Sequence, residues 1–241
     1  MTKASYTKDR KDIGKSVSQD EVDSFLRKVA ATPARTNDRQ GRLLFAMDAT
    51  ASREPTWDRA SDIQVSMFNE TADLGGLSVQ LCFYRGFHEF EASAWCDRSD
   101  VLLRRMTRVR CAAGLTQISR ILQHALDECA RERVNALVFV GDCVEENPDR
   151  LADLAGRLGL MGVPVFVFQE GRDVQAEKTL RAIATLSGGA HCPFDATSPG
   201  MLRDLLSAVA VFAAGGRKAM EQFGQRRGGV VLQLTRQLGK E

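Results

Sequence analysis

No apolar run in this 241-residue sequence approaches the roughly 18 residues needed to span a bilayer, and the longest, Leu205 to Ala214, is broken by Ser207. A membrane-spanning helix is therefore not expected. The first thirty residues are polar and charged, without the apolar stretch that a secretory signal requires, so a cytoplasmic location is expected. The three histidines have no metal-ligand spacing, and no serine lies in G-x-S-x-G. The six cysteines form no C-x-x-C pair and sit mostly in apolar stretches, which predicts reduced, buried thiols. What is present is an ordinary globular composition, 44% hydrophobic and 27% charged. That excludes disordered, collagen-like and disulfide-scaffold classes and allows one large domain or two small ones.

The net charge of +2 conceals an uneven distribution. Residues 1–42 carry ten Lys/Arg against six Asp/Glu, and residues 214–241 carry six against two, which leaves an acidic middle between basic ends. A nucleic-acid-binding domain should instead concentrate its basic residues on the folded face that meets phosphates, so nucleic acid is not expected as a partner. Gly14-Lys15-Ser16 resembles the end of a phosphate-binding loop. Asp9 stands where its first glycine belongs and no strand precedes it, so nucleotide binding is not expected either.

Three segments follow from the pattern: a tail with a short amphipathic helix over 1–40, an α/β domain over 41–213, and a basic, apolar extension over 214–241. In the tail, Ser18 and Glu21 have capping-box spacing, and Val22, Phe25, Leu26 and Val29 recur on one helical face. In the domain, Leu43 to Met47 is an apolar strand ending at Asp48, and Pro55 opens a helix to about residue 73. Alternation at Leu77, Val79, Leu81 and Phe83, a turn at Arg85-Gly86, and alternation at Phe90, Ala92 and Ala94 predict a hairpin. Helices are expected at 98–107, 116–132, 151–160, 179–186 and 202–212, and strands at 136–140, 163–168 and 191–194. Gly215-Gly216 interrupts the last helix, Met220 and Phe223 extend it, and Val230, Val231, Leu232 and Leu234 form a final apolar patch expected to fold back on the domain.

Apolar strands alternating with amphipathic helices predict a Rossmann-like, doubly wound α/β fold: a mostly parallel central sheet, one antiparallel edge strand from the hairpin, and helices on both faces. Ligands bind such sheets beyond the carboxyl ends of the strands, where the strand order reverses. There the sequence places Asp48, Thr50 and Ser52 after the first strand, Asp142 after a second, and Thr116 at the start of a helix. On neighbouring parallel strands these two carboxylates and three hydroxyls converge into an oxygen-only pocket. Two carboxylates about 5 Å apart at an effective dielectric near 20 repel by roughly 3 kcal/mol, which a divalent cation relieves. Oxygen donors without imidazole or thiolate select Mg²⁺, Mn²⁺ or Ca²⁺ over zinc or copper. The competing reading is that the aspartates cap the following helices and the hydroxyls bond backbone.

The pattern Asp48-x-Thr50-x-Ser52, Thr116, Asp142 resembles the metal-ion-dependent adhesion site (MIDAS) of von Willebrand factor type A (VWA) domains, with the resemblance covering about residues 41–213. Gly188-Gly189-Ala190-His191 is similar to that family's closing segment. The resemblance implies direct ligation by Thr50, Ser52 and Thr116, with Asp48 and Asp142 binding mainly through water. It also implies a non-catalytic interaction module in which a partner protein's acidic side chain completes the coordination of Mg²⁺ or Mn²⁺. Separate AAA+ ATPases are among the partners of intracellular members. Two positions depart from the pattern: Thr50 replaces the common serine and adds a methyl, and Cys143 replaces a common glycine.

Two alternatives remain. Asp48 at a first strand end suits an aspartyl-phosphate hydrolase of haloacid-dehalogenase type, although Thr50 occupies the place of that family's proton donor. The other is a metal-free scaffold. Cys143 is expected to be inert beside Glu145 and Glu146, and Trp57 to pack against the domain in preference to anchoring an interface.

Overall fold

The computed structural model of the chain describes residues 24, 27, 40–71, 76–194 and 199–227. Its elements run β1 (Gly41–Asp48), a single 3-10 turn (Ala51–Arg53), α1 (Glu54–Thr71), β2 (Leu77–Arg85), β3 (Glu89–Ala92), α2 (Ser99–Met106) and α3 (Ile118–Arg131). They continue with β4 (Ala136–Gly141), α4 (Pro148–Leu160), β5 (Val165–Glu170), α5 (Val174–Leu186), β6 (His191–Phe194) and α6 (Pro199–Arg227). Ser24 and Arg27 are helical, but the expected capping box and apolar stripe of the tail lie outside the described residues, as does the patch at Val230 to Leu234.

The six strands form one sheet in the order β3-β2-β1-β4-β5-β6. All pairs are parallel except β2 with β3, which is the antiparallel edge hairpin. From central β1 the chain moves outward to β2 and β3, then returns to β4 on the other side. The strand order therefore reverses between β1 and β4, and their carboxyl ends are where sheets of this kind bind ligands. This is the doubly wound sheet that the alternation of elements predicts.

Each face has its own core. Leu43, Phe45 and Met47 of β1 join Leu102 and Met106 of α2 and Leu205, Val209 and Phe212 of α6 in one cluster, which includes Trp57 and Ala60 of α1. Leu44 and Ala46 point the other way, into a cluster with Ile121 and Leu122 of α3, Leu151 and Leu158 of α4, and Leu180 and Ile183 of α5. Successive strand residues face opposite sides, so a strand covered by helices on both must be apolar throughout, as β1 and β4 are.

The structure departs from expectation where polar residues carry the element. α4 begins at Pro148 and α5 at Val174, several residues earlier than apolar periodicity indicates. Their starts are set by caps: Asn147 accepts from the Asp149 and Arg150 amides, and Asp173 from the Ala176 amide. β2 reads as alternating, yet both its faces are buried, because polar Gln80 is satisfied by Ser93 and His124. α6 continues through the expected interruption with a kink at Gly216.

Gly189 brings the approach to β6 against β5, where an added Cβ would stand 2.0 Å from the Val165 carbonyl oxygen. Gly189→Ala must separate the two segments and is expected to destabilise the domain by about 2 kcal/mol or more. Urea unfolding of this variant beside Gly162→Ala, whose added Cβ meets nothing within 4 Å but whose φ is positive, ranks a steric clash against backbone strain.

Candidate metal centre

Asp48 ends β1 fully buried, opposite Tyr84 in the register with β2. One carboxylate oxygen accepts from the Thr50 amide at 2.7 Å, and the other from the Tyr84 hydroxyl at 3.0 Å. The first bond turns the chain sharply, and the 3-10 turn then carries Ser52 back over the strand end. Ser52 Oγ lies 3.4 Å from Thr50 Oγ1 and donates to Asp142 Oδ2 at 3.2 Å. Asp142 arrives from β4, whose Val140 is paired with Met47, so both aspartates leave the sheet at the same edge.

Thr116 reaches this edge by a different route. An added Cβ on Gly114 would fall 1.9 Å from the Gly86 carbonyl oxygen, so only glycine permits that loop to lie on the β2–β3 turn. Leu115 donates to Gly86 O at 3.1 Å, fixing the approach. Thr116 Oγ1 then accepts from the Glu145 amide, and Glu145 Oε2 accepts from the Thr116 amide, both at 2.9 Å. This reciprocal pair ties Thr116 to the segment following Asp142. Glu146 caps the start of α3, accepting from the Ile118 amide and from the Ser119 amide at 2.9 Å.

Burial pushes the Asp48 carboxyl up from its ordinary value of 3.8, the Thr50 bonds oppose this, the Asp142 charge adds to it, and Tyr84 opposes it. Asp142 Oδ1 is buried with no hydrogen-bond partner among the described residues. Two carboxylates, one held above its ordinary range and the other with an unpartnered oxygen, linked to the hydroxyls of Thr50 and Ser52, make a donor set that fits a hard divalent cation, and Thr116 is tied to the segment that follows Asp142. Among the described residues no three of His, Cys, Asp and Glu gather as ligands. A site here must therefore draw on hydroxyl oxygens.

Similar solved structures share this architecture. A von Willebrand factor type A protein from Catenulispora acidiphila superimposes with TM-score 0.59 at 15% identity, covering 71% of this chain and 43% of that one. The SpRpn10 VWA domain gives 0.54 at 16%, covering 69% and 94%. Proximal thread matrix protein 1 from the mussel byssus, with a zinc-occupied MIDAS motif, gives 0.56 at 16%, covering 74% and 48%. The fold is that of a von Willebrand factor A domain. The chain spans less than half the length of the first and third of these proteins. No protein-family model and no curated protein matches the sequence.

Within the VWA fold, hydrogen bonds link Asp48, Thr50, Ser52 and Asp142 in one chain, and Thr116 joins them through Glu145. At Cys143, where glycine is common, no strain arises, since no described non-glycine residue has a positive φ. Burial, followed by the charges of Asp142, Asp48 and Glu145, pushes its thiol up to about 12, so it stays protonated. Trp57 is buried, its indole N–H donating to Met106 O at 2.9 Å. No helix among the described residues is long and apolar enough to cross a membrane.

Sequence reasoning missed Tyr84, Arg53 and Glu170. Arg53, in the turn after Ser52, is 2% exposed and contacts Asp142 Oδ2 at 3.7 Å and Glu170 more closely. Glu170 ends β5 and also accepts from Thr56 Oγ1. Its signal was available, because β5 is a third apolar strand that ends in an acidic residue.

Without metal, the raised Asp48 carboxyl favours the folded state below its ordinary value, and this contribution is lost as pH rises through the raised one. Asp48→Asn is therefore expected to melt higher than the parent in chelator at neutral pH, with the difference shrinking toward pH 4. Thermal melts across this range test the sign.

Proposed function

We propose that this chain is a non-catalytic interaction module that captures a partner protein through Mg²⁺ or Mn²⁺ held by Asp48, Thr50, Ser52, Thr116 and Asp142. An acidic side chain of the partner completes the coordination shell. The observation that carries this reading is the buried, unpartnered Asp142 Oδ1 at the end of the hydrogen-bonded chain running from Asp48. A bound ion supplies a Lewis-acidic centre with an exchangeable position. The chain's residues do the rest. Tyr84 and the Thr50 amide fix the Asp48 carboxylate, and the Glu145 pair fixes Thr116.

The rim supports a protein as the ligand. Phe87, in the β2–β3 turn, is 66% exposed, and Leu115, whose amide bonds that turn, is 48% exposed. Large apolar side chains beside a charged anchor are what an interface buries at its centre. A hydrolase is disfavoured by Thr50, which offers no carboxyl for proton transfer two residues after Asp48.

Mg²⁺ a hundredfold above its dissociation constant is expected to stabilise the protein by about 2.7 kcal/mol, seen as a raised melting temperature that Asp48→Ala abolishes. Partner capture should be lost in EDTA and in Asp48→Ala, and weakened by Phe87→Ser without loss of the Mg²⁺-dependent shift. Turnover of phosphate esters that disappears in Asp48→Ala would replace this reading with the hydrolase.

A further inference from the structure

Arg53 is the unusual group at this edge. Its guanidinium is almost wholly buried, yet a single nitrogen, Nη1, makes both recorded ion pairs, to Asp142 Oδ2 at 3.7 Å and to Glu170. Nε and Nη2 have no hydrogen-bond partner among the described residues. An arginine committed to structure normally presents its fork to a carboxylate through two nitrogens. Here a single nitrogen serves both acids, lying closer to Glu170 than to Asp142. The same Glu170 oxygen also accepts from Thr56 Oγ1, itself 1% exposed, which holds Glu170 in place as the guanidinium's nearer partner.

The carboxylate Arg53 shares with Ser52 is Asp142, one of the two acids of the candidate metal centre. Resting on the metal-site reading, we propose that Arg53 is an internal counter-ion that competes with the divalent cation for Asp142, with Glu170, already its nearer partner, retaining the guanidinium when the ion binds. A unit positive charge within about 4 Å of a ligating carboxylate both neutralises that ligand and repels an incoming doubly charged ion. Arg53 therefore weakens metal binding, stabilises the metal-free protein, and makes loading depend on the guanidinium giving up Asp142 while it stays with Glu170. Arg53 is a positioning residue in this scheme, and its guanidinium pairs with no proposed ligand of the ion other than Asp142.

The test is Mn²⁺ binding to the full chain, measured by calorimetry and by electron paramagnetic resonance of free Mn²⁺. Arg53→Met, which keeps the apolar stem's bulk without the charge, is expected to bind Mn²⁺ at least about tenfold tighter than the parent and to melt lower in chelator. The double variant Arg53→Met with Glu170→Gln restores the parent's net charge and leaves no unpaired buried Glu170, so it folds even where the single variant does not. Competition at Asp142 predicts that the double variant still binds tighter than the parent. Equal affinity of parent and double variant would mean that only net charge matters and would overturn the proposal. If parent, single and double variants all bind no Mn²⁺, the metal-centre reading itself fails. Binding by all three with the same affinity leaves that reading intact and removes only the role of Arg53.

Discussion

Two carboxylates at adjacent strand ends govern this edge of the molecule. Asp48 is fully buried and Asp142 partly so, and each arrives at the end of an apolar strand fixed by the sheet register. Neither can move away without breaking β1 or β4, which are central strands. Positive charge must therefore be brought to them. The surroundings supply it in part, through the Thr50 amide, the Tyr84 hydroxyl, Ser52 Oγ and the shared guanidinium of Arg53. One oxygen of Asp142 remains without a donor among the described residues.

The architecture around the pair is organised for exposure on one side and rigidity beneath. Both faces of the sheet are packed, so the strand ends are held from below by two apolar clusters. Above them lie short connections whose shapes are fixed by specific contacts. The Gly114 loop rests on the β2–β3 turn, the Glu145 pair locks Thr116, and Glu146 caps α3. Phe87 and Leu115 stand at the open rim of this arrangement. The proposed interaction role rests on this pairing of a buried polar centre with exposed apolar side chains.

Much of the fold was legible because burial on both faces leaves unbroken apolar runs. β1, β4 and β6 lie close to where those runs fall, and the hairpin was marked by Arg85-Gly86 between two stretches of alternation. Starts of α4 and α5 were not legible from periodicity, since their first turns are polar and set by Asn147 and Asp173. Asp48, Thr50, Ser52, Thr116 and Asp142 were legible as a pattern because each follows a strand or precedes a helix at one edge. Arg53 was not, because a charged residue in a polar turn reads as solvated until its burial is known.

The sequence by itself determined the alternation of elements, the apolar faces of the helices and the acidic residues that end the strands, because these depend on local periodicity and the chemistry of single positions. Only the tertiary structure decided which of those acids stand side by side, that Tyr84 and Thr50 hold Asp48, and that Arg53 is buried between Asp142 and Glu170. Strand order decides which ends are neighbours, and that order comes from packing between residues far apart in the chain, such as Gly41 of β1 and Ala213 of α6, which no local pattern records.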